Sequence, residues 1–333
     1  MTNQENKSLV EQFWRVVDSD HSQADSLARY LHPDVVWHGH APIGDLNGLE
    51  SFREGFLAPL HRAFGGLKRE THLFFGGKSS GRVDGTGDGK MWVTGTGLLH
   101  GVFANDYLSI PASGRPVSIR WGEFCKIEDG KIVEIFFLLD LIDLMQQAGH
   151  HVLPPARGKD GVYPGPAAAD GILMDVQDDR VSAYSLQHIR TFIFDGLNNY
   201  DQSNLKSMGM ADFFHQDVKW YGPGGIGACL SFNEFELLHQ QPWLHAFPDR
   251  AVQDLDALFA EGQYSGGPGW SGVKATHTGQ YLDCPATGND VVFNGLDWWK
   301  REGETYVENW VFVDMIHLFG QFGVDLLERT RSA

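Results

Sequence analysis

The 333-residue sequence predicts two α+β domains that are duplicates of one another. The first observation is a repeat near the end of each copy. Residues 133–149 and 307–323 share seven of seventeen residues at an offset of 174. The second is an earlier repeat, in which residues 31–44 and 214–227 share seven of fourteen at an offset of 183. Chance would give about one identity, and so long a period indicates duplicated domains rather than a solenoid.

The order of predicted elements is the same in both copies. Residues 8–30 predict helical structure, since Leu9, Phe13 and Val16 fall on one face. A strand follows from residue 31, then a helix over residues 49–64. The late part of each copy predicts strands at 91–100, 117–126 and 131–140, and at 274–282, 291–300 and 305–314.

The copies are joined by a segment rich in Pro, Gly and Ala. Residues 151–178 predict a linker that runs over the surface, between a first domain at 1–150 (copy one) and a second at 179–333 (copy two). The change of offset from 183 to 174 gives copy one nine extra residues. The Gly-rich stretch 76–90 and residues 102–106 are the expected loops that hold them.

Composition excludes several classes of partner. The formal net charge is −17 with scattered Lys and Arg, so the chain repels nucleic acid and anionic membranes. No apolar run is long enough for a membrane span, and the first residues lack an apolar signal core. Three widely spaced cysteines predict reduced thiols in a cytoplasmic protein without a disulfide framework.

Several short motifs in both copies carry a family resemblance. They are residues 34–39 (Asp-Val-Val-Trp-His-Gly), 110–117, 128–134, 246–249, 276–279 and 285–288, together with the two runs that lead to Asp140 and Asp314. The chain resembles the SnoaL-like polyketide cyclase group of the nuclear transport factor 2-like superfamily. The resemblance implies two cone-shaped domains, each with a curved mixed or antiparallel sheet and helices on its concave face. It also implies a pseudo-dimer within one chain, which could assemble further as a homo-oligomer.

The resemblance implies that an aspartate on a late strand is the general acid/base of an intramolecular aldol closure. Asp140 and Asp314 match that position, and His38 is a third catalytic candidate. The alternative is that each aspartate caps the helix that follows it, because Asp is a preferred N-cap. The expected enzyme needs no cofactor and acts on a small, hydrophobic, oxygenated ligand. A non-catalytic binding protein, or an epoxide hydrolase or dehydratase of the same fold, remains an alternative.

Aromatic and polar residues on the predicted strands are candidates for substrate binding. The late strands place Arg120, Trp121 and Glu123, and in copy two Asn294, Asp297, Trp298 and Trp299, among apolar residues. Such a pattern suits a planar oxygenated ligand or an interface between sheets equally well. The full set of substrate-binding candidates is Trp37, His40, Arg120, Trp121, Trp220, Tyr221, His277, Asn294 and Trp310. His277 is expected on a strand that lines the cone.

Four histidines in copy one raise the question of a metal. His38 and His40 fall on one side of a strand, and His61 and His72 follow. No third ligand lies at a diagnostic spacing, so the sequence predicts no metal site.

Overall fold

The structure is a computed structural model that describes residues 1–19 and 24–331. It contains two units, each a sheet with helices packed on one side, and so confirms the predicted fold class of two α+β domains. The helix predicted over residues 8–30 crosses residues 20–23, which lie outside the described residues. None of the helices in the described ranges is long and apolar enough to cross a membrane.

Copy one forms a six-stranded sheet with the order β2-β1-β6-β5-β4-β3. Its strands are β1 (Leu31–Gly39), β2 (Asp45–Asn47), β3 (Phe64–Lys78), β4 (Met91–Phe103), β5 (Pro116–Glu128) and β6 (Lys131–Leu139). Its helices are α1 (Asn3–Ser19), α2 (Ala24–Leu27), α3 (Leu49–Phe52), a π-helical turn (Arg53–Leu57), α4 (Ala58–Ala63) and α5 (Leu141–Ala148). β1 runs parallel to β6 and the other neighbours are antiparallel.

Copy two repeats this plan with the strand order β10-β11-β12-β13-β7-β8, and β9 pairs with β11. Its strands are β7 (Phe214–Tyr221), β8 (Ala228–Cys229), β9 (Ala251–Val252), β10 (Phe259–Glu261), β11 (Tyr264–Thr276), β12 (Asp290–Glu302) and β13 (Thr305–Val313). Its helices are α6 (Asp179–Arg190), which continues through Thr191–Gly196 and Leu197–Asn199, a short turn at Leu205–Met208, α7 (Met210–Phe213), α8 (Phe232–Glu234), a π-helical turn (Phe235–Gln240), α9 (Gln241–Ala246), α10 (Met315–Gln321) and α11 (Leu326–Arg329).

Two long strands differ from the prediction, and both contain paired glycines. β3 was not predicted, and β11 begins at Tyr264 instead of residue 274, with residues 277–282 outside the strand. Gly266 and Gly267 made this stretch look like a loop. In the structure they allow close packing, since a Cβ atom at Gly267 would lie 2.3 Å from the Ala257 carbonyl oxygen.

The two sheets pack against each other through a second apolar core, on the side away from the helices. Copy one contributes Leu73, Phe75, Trp92, Phe124, Phe136 and Leu138, and copy two contributes Tyr221, Phe259, Tyr264, Leu296, Trp298, Trp310 and Phe312. Phe124 stacks on Trp298 with ring centroids 5.0 Å apart. A Cβ atom at Gly122 would lie 2.5 Å from the Trp298 ring, so the sheets are in close contact here. The predicted pairing within one chain is therefore present.

The segment between the copies is hydrogen-bonded to both of them. The Trp310 indole N–H donates to the Pro164 carbonyl (2.9 Å), and the Ala167 amide donates to Glu308 (3.0 Å). On the other side, the Phe74 amide donates to the Gly171 carbonyl (2.8 Å). The segment thus lies over the joint between the sheets, while the domain limits at residues 150 and 179 stay predictions.

Removal of the Trp298 ring is expected to loosen the packing between the sheets. Trp298 is fully buried, and its indole N–H donates to the Thr94 hydroxyl of copy one (2.8 Å). Trp298→Ala should lower the free energy of unfolding by about 3 to 5 kcal/mol in urea titrations, because it leaves a large cavity. Trp298→Phe keeps a ring against Phe124 and should lose about 1 to 2 kcal/mol. A loss below about 1 kcal/mol for the alanine variant would contradict a central role for this contact.

Candidate active site

The interior of copy two contains a cavity of about 200 Å³ between the sheet and the helices. Alternation along the strands decides which side chains face it, because successive residues point to opposite faces of a sheet. On β12 these are Phe293, Gly295, Asp297 and Trp299. Helical residues such as Phe192 and Trp243 close the other side. The wall is mostly apolar, with a few polar groups, which is typical of a small-molecule site.

Asp297 places a carboxyl group on this apolar wall. Its Oδ1 accepts a hydrogen bond from Asn309 Nδ2 (3.1 Å), and the same amide group donates to the Trp298 carbonyl (2.9 Å). Among the described residues, no cation pairs with Asp297 and no protein donor bonds its Oδ2. Burial in these surroundings raises the pKa of Asp297 to about 8. Near neutral pH the group can therefore both give and take a proton.

Three further polar side chains lie on the wall. The imidazole of His239 stacks on Trp220 with ring centroids 4.1 Å apart, and burial lowers the pKa of His239 to about 3, so the ring is neutral. Gln240 Oε1 and two nitrogens of Arg250, Nε and Nη1, are buried without a hydrogen-bond partner among the described residues. These groups can bind oxygen and nitrogen atoms of a ligand.

In copy one the corresponding space is filled by aromatic side chains. Trp14, from α1, packs against Trp121 and Phe74, with ring centroids 5.0 Å apart in both cases. The helix of copy two that packs in the same place, α6 with its continuation to Asn199, contains no tryptophan. Trp14 on the first helix of copy one is thus one difference between the two interiors.

Glu123 is the counterpart of Asp297 at the offset of 174, and it is only 5% exposed. It accepts hydrogen bonds from the Trp14 indole N–H and from the Cys125 thiol. Burial raises the pKa of Glu123, while the nearby Arg69 guanidinium acts to lower it. Both copies thus carry a buried carboxyl group at the same place on the sheet, but the group in copy one is enclosed by protein.

Asp140 and Asp314 lie away from the cavity and cap helices. Asp140 Oδ1 accepts from the Asp143 amide (3.1 Å) at the start of α5, and Asp314 Oδ1 accepts from the His317 amide (3.0 Å) at the start of α10. Each therefore fits the capping alternative. Burial raises the pKa of Asp314, although its backbone donors act to lower it.

The second oxygen of each of these aspartates binds a loop of the other copy. Asp140 Oδ2 accepts from the Gly224 amide (2.9 Å) and from Arg120 (3.1 Å). Asp314 Oδ2 accepts from the Ala41 amide (2.7 Å). Ala41 and Gly224 are equivalent at the offset of 183, so the two contacts are reciprocal across the pseudo-dimer. A catalytic role for Asp140 and Asp314 stays a prediction, and their contacts favour a structural one.

The other predicted residues of the first strand are spread between the core and the sheet interface. Trp37 is buried against Phe56 (ring centroids 4.4 Å apart), and His40 is buried beside it. His38 lies at the edge of the interface and bonds Asp45 (2.8 Å) and Glu134 (3.2 Å).

The remaining candidates are also largely structural in their contacts. Arg120 donates to the Gly222 and Tyr221 carbonyls across the interface (2.8 and 3.2 Å), where Trp310 also packs. Asn294 accepts from the Ser271 amide (3.0 Å). Trp121 belongs to the filled core of copy one.

His277 and Trp220 are the two candidates that lie in the interior of copy two, on the side of the sheet that faces the helices. His277 follows the end of β11 instead of lying in a strand, and its ring stacks on Phe322 (4.0 Å between centroids). Trp220 lines the cavity, as a substrate-binding residue would. Among the nine residues selected for substrate binding it is the one that the structure brings to the cavity wall.

The sequence interpretation placed Asp297 among the polar residues of the late strands but did not select it as a site residue, and it missed Asn309, His239 and Arg250. A signal for Asp297 was present, because Glu123 and Asp297 are acidic residues related by the offset of 174, and each is followed by two apolar residues. Asn309, His239 and Arg250 have no polar residue at the equivalent position of copy one, so the repeat does not mark them as site residues.

Three of the histidines of copy one, His38, His40 and His72, bond different groups. His38 bonds Asp45 and Glu134, His72 bonds Glu70 (3.0 Å), and His40 contacts the Ala41 carbonyl (3.2 Å). Within residues 1–19 and 24–331, no three His, Cys, Asp or Glu side chains converge to hold a metal ion.

Both units are α+β domains with a mixed sheet and helices packed on one side. Similar solved structures include a candidate SnoaL-like polyketide cyclase from Jannaschia sp. CCS1, with 21% identity over 44% of this chain and 94% of its own and a TM-score of 0.34. Another is IdmH, a candidate polyketide cyclase from Streptomyces antibioticus, with 18% identity, 43% and 96% coverage and a TM-score of 0.34. A third is an NTF2-like protein from Burkholderia thailandensis, with 17% identity over 45% of this chain and 98% of its own and a TM-score of 0.33.

The family follows from matches to two family models. Residues 10–135 match the SnoaL-like domain, and residues 191–322 match the SnoaL-like polyketide cyclase. The chain is therefore a tandem of two SnoaL-like domains, and a cyclase-type role is supported at the level of the family. None of the curated proteins matches it.

Asp314→Asn is expected to weaken the contact between the copies. Asparagine can still cap α10, but its amide group would then face the Ala41 N–H, donor against donor. We expect the free energy of unfolding to fall by about 1 to 3 kcal/mol, with ligand binding in the cavity unchanged. Asp140→Asn should cost more, because it also takes the carboxylate from Arg120. An undiminished stability combined with a large loss of turnover would instead support catalysis by these aspartates.

Asp297 should make the stability of the protein depend on pH. Between pH of about 4 and about 8 the unfolded chain ionises Asp297 while the folded protein keeps it protonated. The wild type should therefore lose stability as the pH rises through this window, relative to Asp297→Asn. Urea unfolding at several pH values measures the difference between the two proteins, which cancels the titration of the other groups. A difference that does not change with pH would mean that Asp297 titrates normally.

Proposed function

We propose that copy two is the catalytic unit of a cofactor-independent cyclase or isomerase that acts on a hydrophobic, oxygenated small molecule. Asp297 would be its general acid/base. The observation that carries the proposal is a carboxyl group on the wall of an apolar cavity, held through one oxygen by Asn309 and open through the other. Copy one would support the catalytic unit, since its own carboxyl group, Glu123, is covered by Trp14.

The chemistry follows from a carboxyl group that exchanges protons near neutral pH. Ionised Asp297 would remove a proton from a carbon next to a ketone, and the resulting enolate carbon would attack a second carbonyl of the same molecule. One C–H bond breaks, one C–C bond forms, and the second carbonyl oxygen becomes an alkoxide. The protonated Asp297 would then return the proton to that alkoxide. Asn309 would keep the carboxyl group in place during both transfers.

Two further facts support this proposal over the prediction for Asp140 and Asp314. The copy with the cavity is the one that matches the polyketide cyclase model. The oxygens of Asp140 and Asp314 are occupied by backbone amides at the junction of the copies. A proton-transfer role would require those contacts to break.

The test uses exchange of acidic C–H protons in heavy water. 2-Tetralone, a two-ring ketone, carries such protons next to its carbonyl, and mass spectrometry follows their replacement by deuterium. We expect the wild type to accelerate exchange and Asp297→Asn to lose about 10²- to 10⁴-fold of that acceleration. Because the base form is required, the rate should rise with pH up to about 8. Glu123→Gln, the matched change in copy one, should leave the rate unchanged.

Other results would point to the alternatives. Saturable binding of 2-tetralone without exchange would indicate a binding protein. Exchange that survives in Asp297→Asn but disappears in the Asp140→Asn/Asp314→Asn double variant would return the chemistry to the junction of the copies.

A further inference from the structure

Arg250 is a buried cation on the wall of the cavity in copy two. It lies in the turn between α9 and β9 and is only 5% exposed. Its guanidinium group contacts Met208 and lies 5.5 Å from the centre of the Trp243 ring, and both of these residues line the cavity. The charged end of the side chain is therefore at the cavity and away from bulk water.

The guanidinium group has unused hydrogen-bond donors. Nε and Nη1 are buried without a partner among the described residues, and Nη2 meets only the Met208 thioether, a weak acceptor. Burial lowers the pKa of Arg250 to about 10, so the group is still charged at neutral pH. The Trp243 and Tyr200 rings, 5.5 and 5.7 Å away, offset only part of the cost of a buried charge.

Three other buried cations among the described residues have anionic partners, and a fourth, Arg301, donates to the Ser185 hydroxyl and to the Gly303 and Val181 carbonyls. Lys7 pairs with Glu261 (2.6 Å), Arg120 with Asp140 (3.1 Å) and Lys300 with Asp170 (2.9 Å). Arg250 forms no ion pair with a carboxylate in the described part of the chain. Buried charges without partners are rare, because a charge that is removed from water and left unpaired strongly destabilises the fold.

The charge is specific to the copy that has the cavity. At the offset of 183, which also relates Phe64 to Phe247, the counterpart of Arg250 in copy one is Leu67. The filled interior thus has an apolar residue where the open one has an unpaired cation. The fold itself does not require an arginine here.

We propose that the ligand of this cavity carries a carboxylate on an apolar ring body, and that Arg250 binds this carboxylate through its free N–H groups. Charge-assisted hydrogen bonds of this kind are among the strongest that proteins make. The inference rests on the proposed function for the identity of the cavity as the substrate site, and it adds the substrate class: an aromatic or alicyclic keto acid rather than a neutral ketone. Arg250 would anchor one end of the molecule while Asp297 acts on another part of it.

The test compares two probes that differ in charge and little else. Titration calorimetry with 2-naphthoate and 2-naphthamide should show that the wild type binds the carboxylate at least about 10-fold more tightly. Arg250→Met should weaken the binding of 2-naphthoate by about 10- to 100-fold and leave that of 2-naphthamide nearly unchanged. Arg250→Lys keeps the charge and should keep part of the preference. Equal binding of the two probes, or no binding of the carboxylate, would overturn the proposal.

Stability gives a second readout that a purely structural arginine would not produce. Without ligand, Arg250→Met should unfold at the same urea concentration as the wild type or a higher one, because it removes an unpaired buried charge. Should this variant fold poorly, Arg250→Leu, which copies residue 67 of copy one, replaces it. A clear loss of stability in both variants would mean that Arg250 holds the fold together instead.

The two proposals fail separately. Asp297→Asn should abolish proton exchange and preserve the preference for 2-naphthoate. If exchange does not depend on Asp297 but the preference depends on Arg250, only the catalytic assignment is lost. If exchange depends on Asp297 and the two probes bind equally, only the carboxylate assignment is lost.

Discussion

The contact between the two sheets is the constraint on which the rest of the structure depends. Each sheet has two faces, and the interface uses one of them, where Trp298 packs on Phe124. Because side chains alternate along β12, fixing Trp298 at the interface sends its neighbours Asp297 and Trp299 to the opposite face. A shift of one residue in register would exchange the two sets. The packing of the copies thus also determines which residues can reach a ligand.

The reciprocal bonds of Asp140 and Asp314 explain why these residues stand out in the sequence. An interface with pseudo-twofold symmetry requires equivalent contacts from both copies. Each aspartate provides them, because it caps a helix and accepts a hydrogen bond from the facing loop of the other copy. A reaction in one cavity does not require the same residues in both copies. Identity between the repeats therefore marks the shared interface better than it marks the site. Asp297 differs from Glu123 in the length of its side chain, and Arg250 differs from Leu67 altogether.

Much of the fold could be predicted from the sequence, because repeats and apolar patterns report directly on strands and domains. The strands that begin at residues 91, 116 and 305 coincide closely with the predicted ones. The early part of β11 could not, since its glycines read as a loop unless the close approach of Ala257 is known. The candidate site was harder to predict from the sequence than the fold. Alternation separates two faces of a strand but does not say which one borders a cavity, and Trp14 fills copy one from a helix far away in sequence.

The covalent link between the copies has a consequence for how the two interiors can diverge. In a homodimer a single gene sets both halves, so any substitution is made twice, and a residue that fills one cone also fills the other. In the tandem each substitution is made once, and the short connection keeps the halves at high effective concentration whatever their individual affinity. Symmetry is then needed only where the halves touch. One half is free to give up solvent-accessible space for rigidity, as with Trp14, while the other can tolerate the unpaired charge of Arg250.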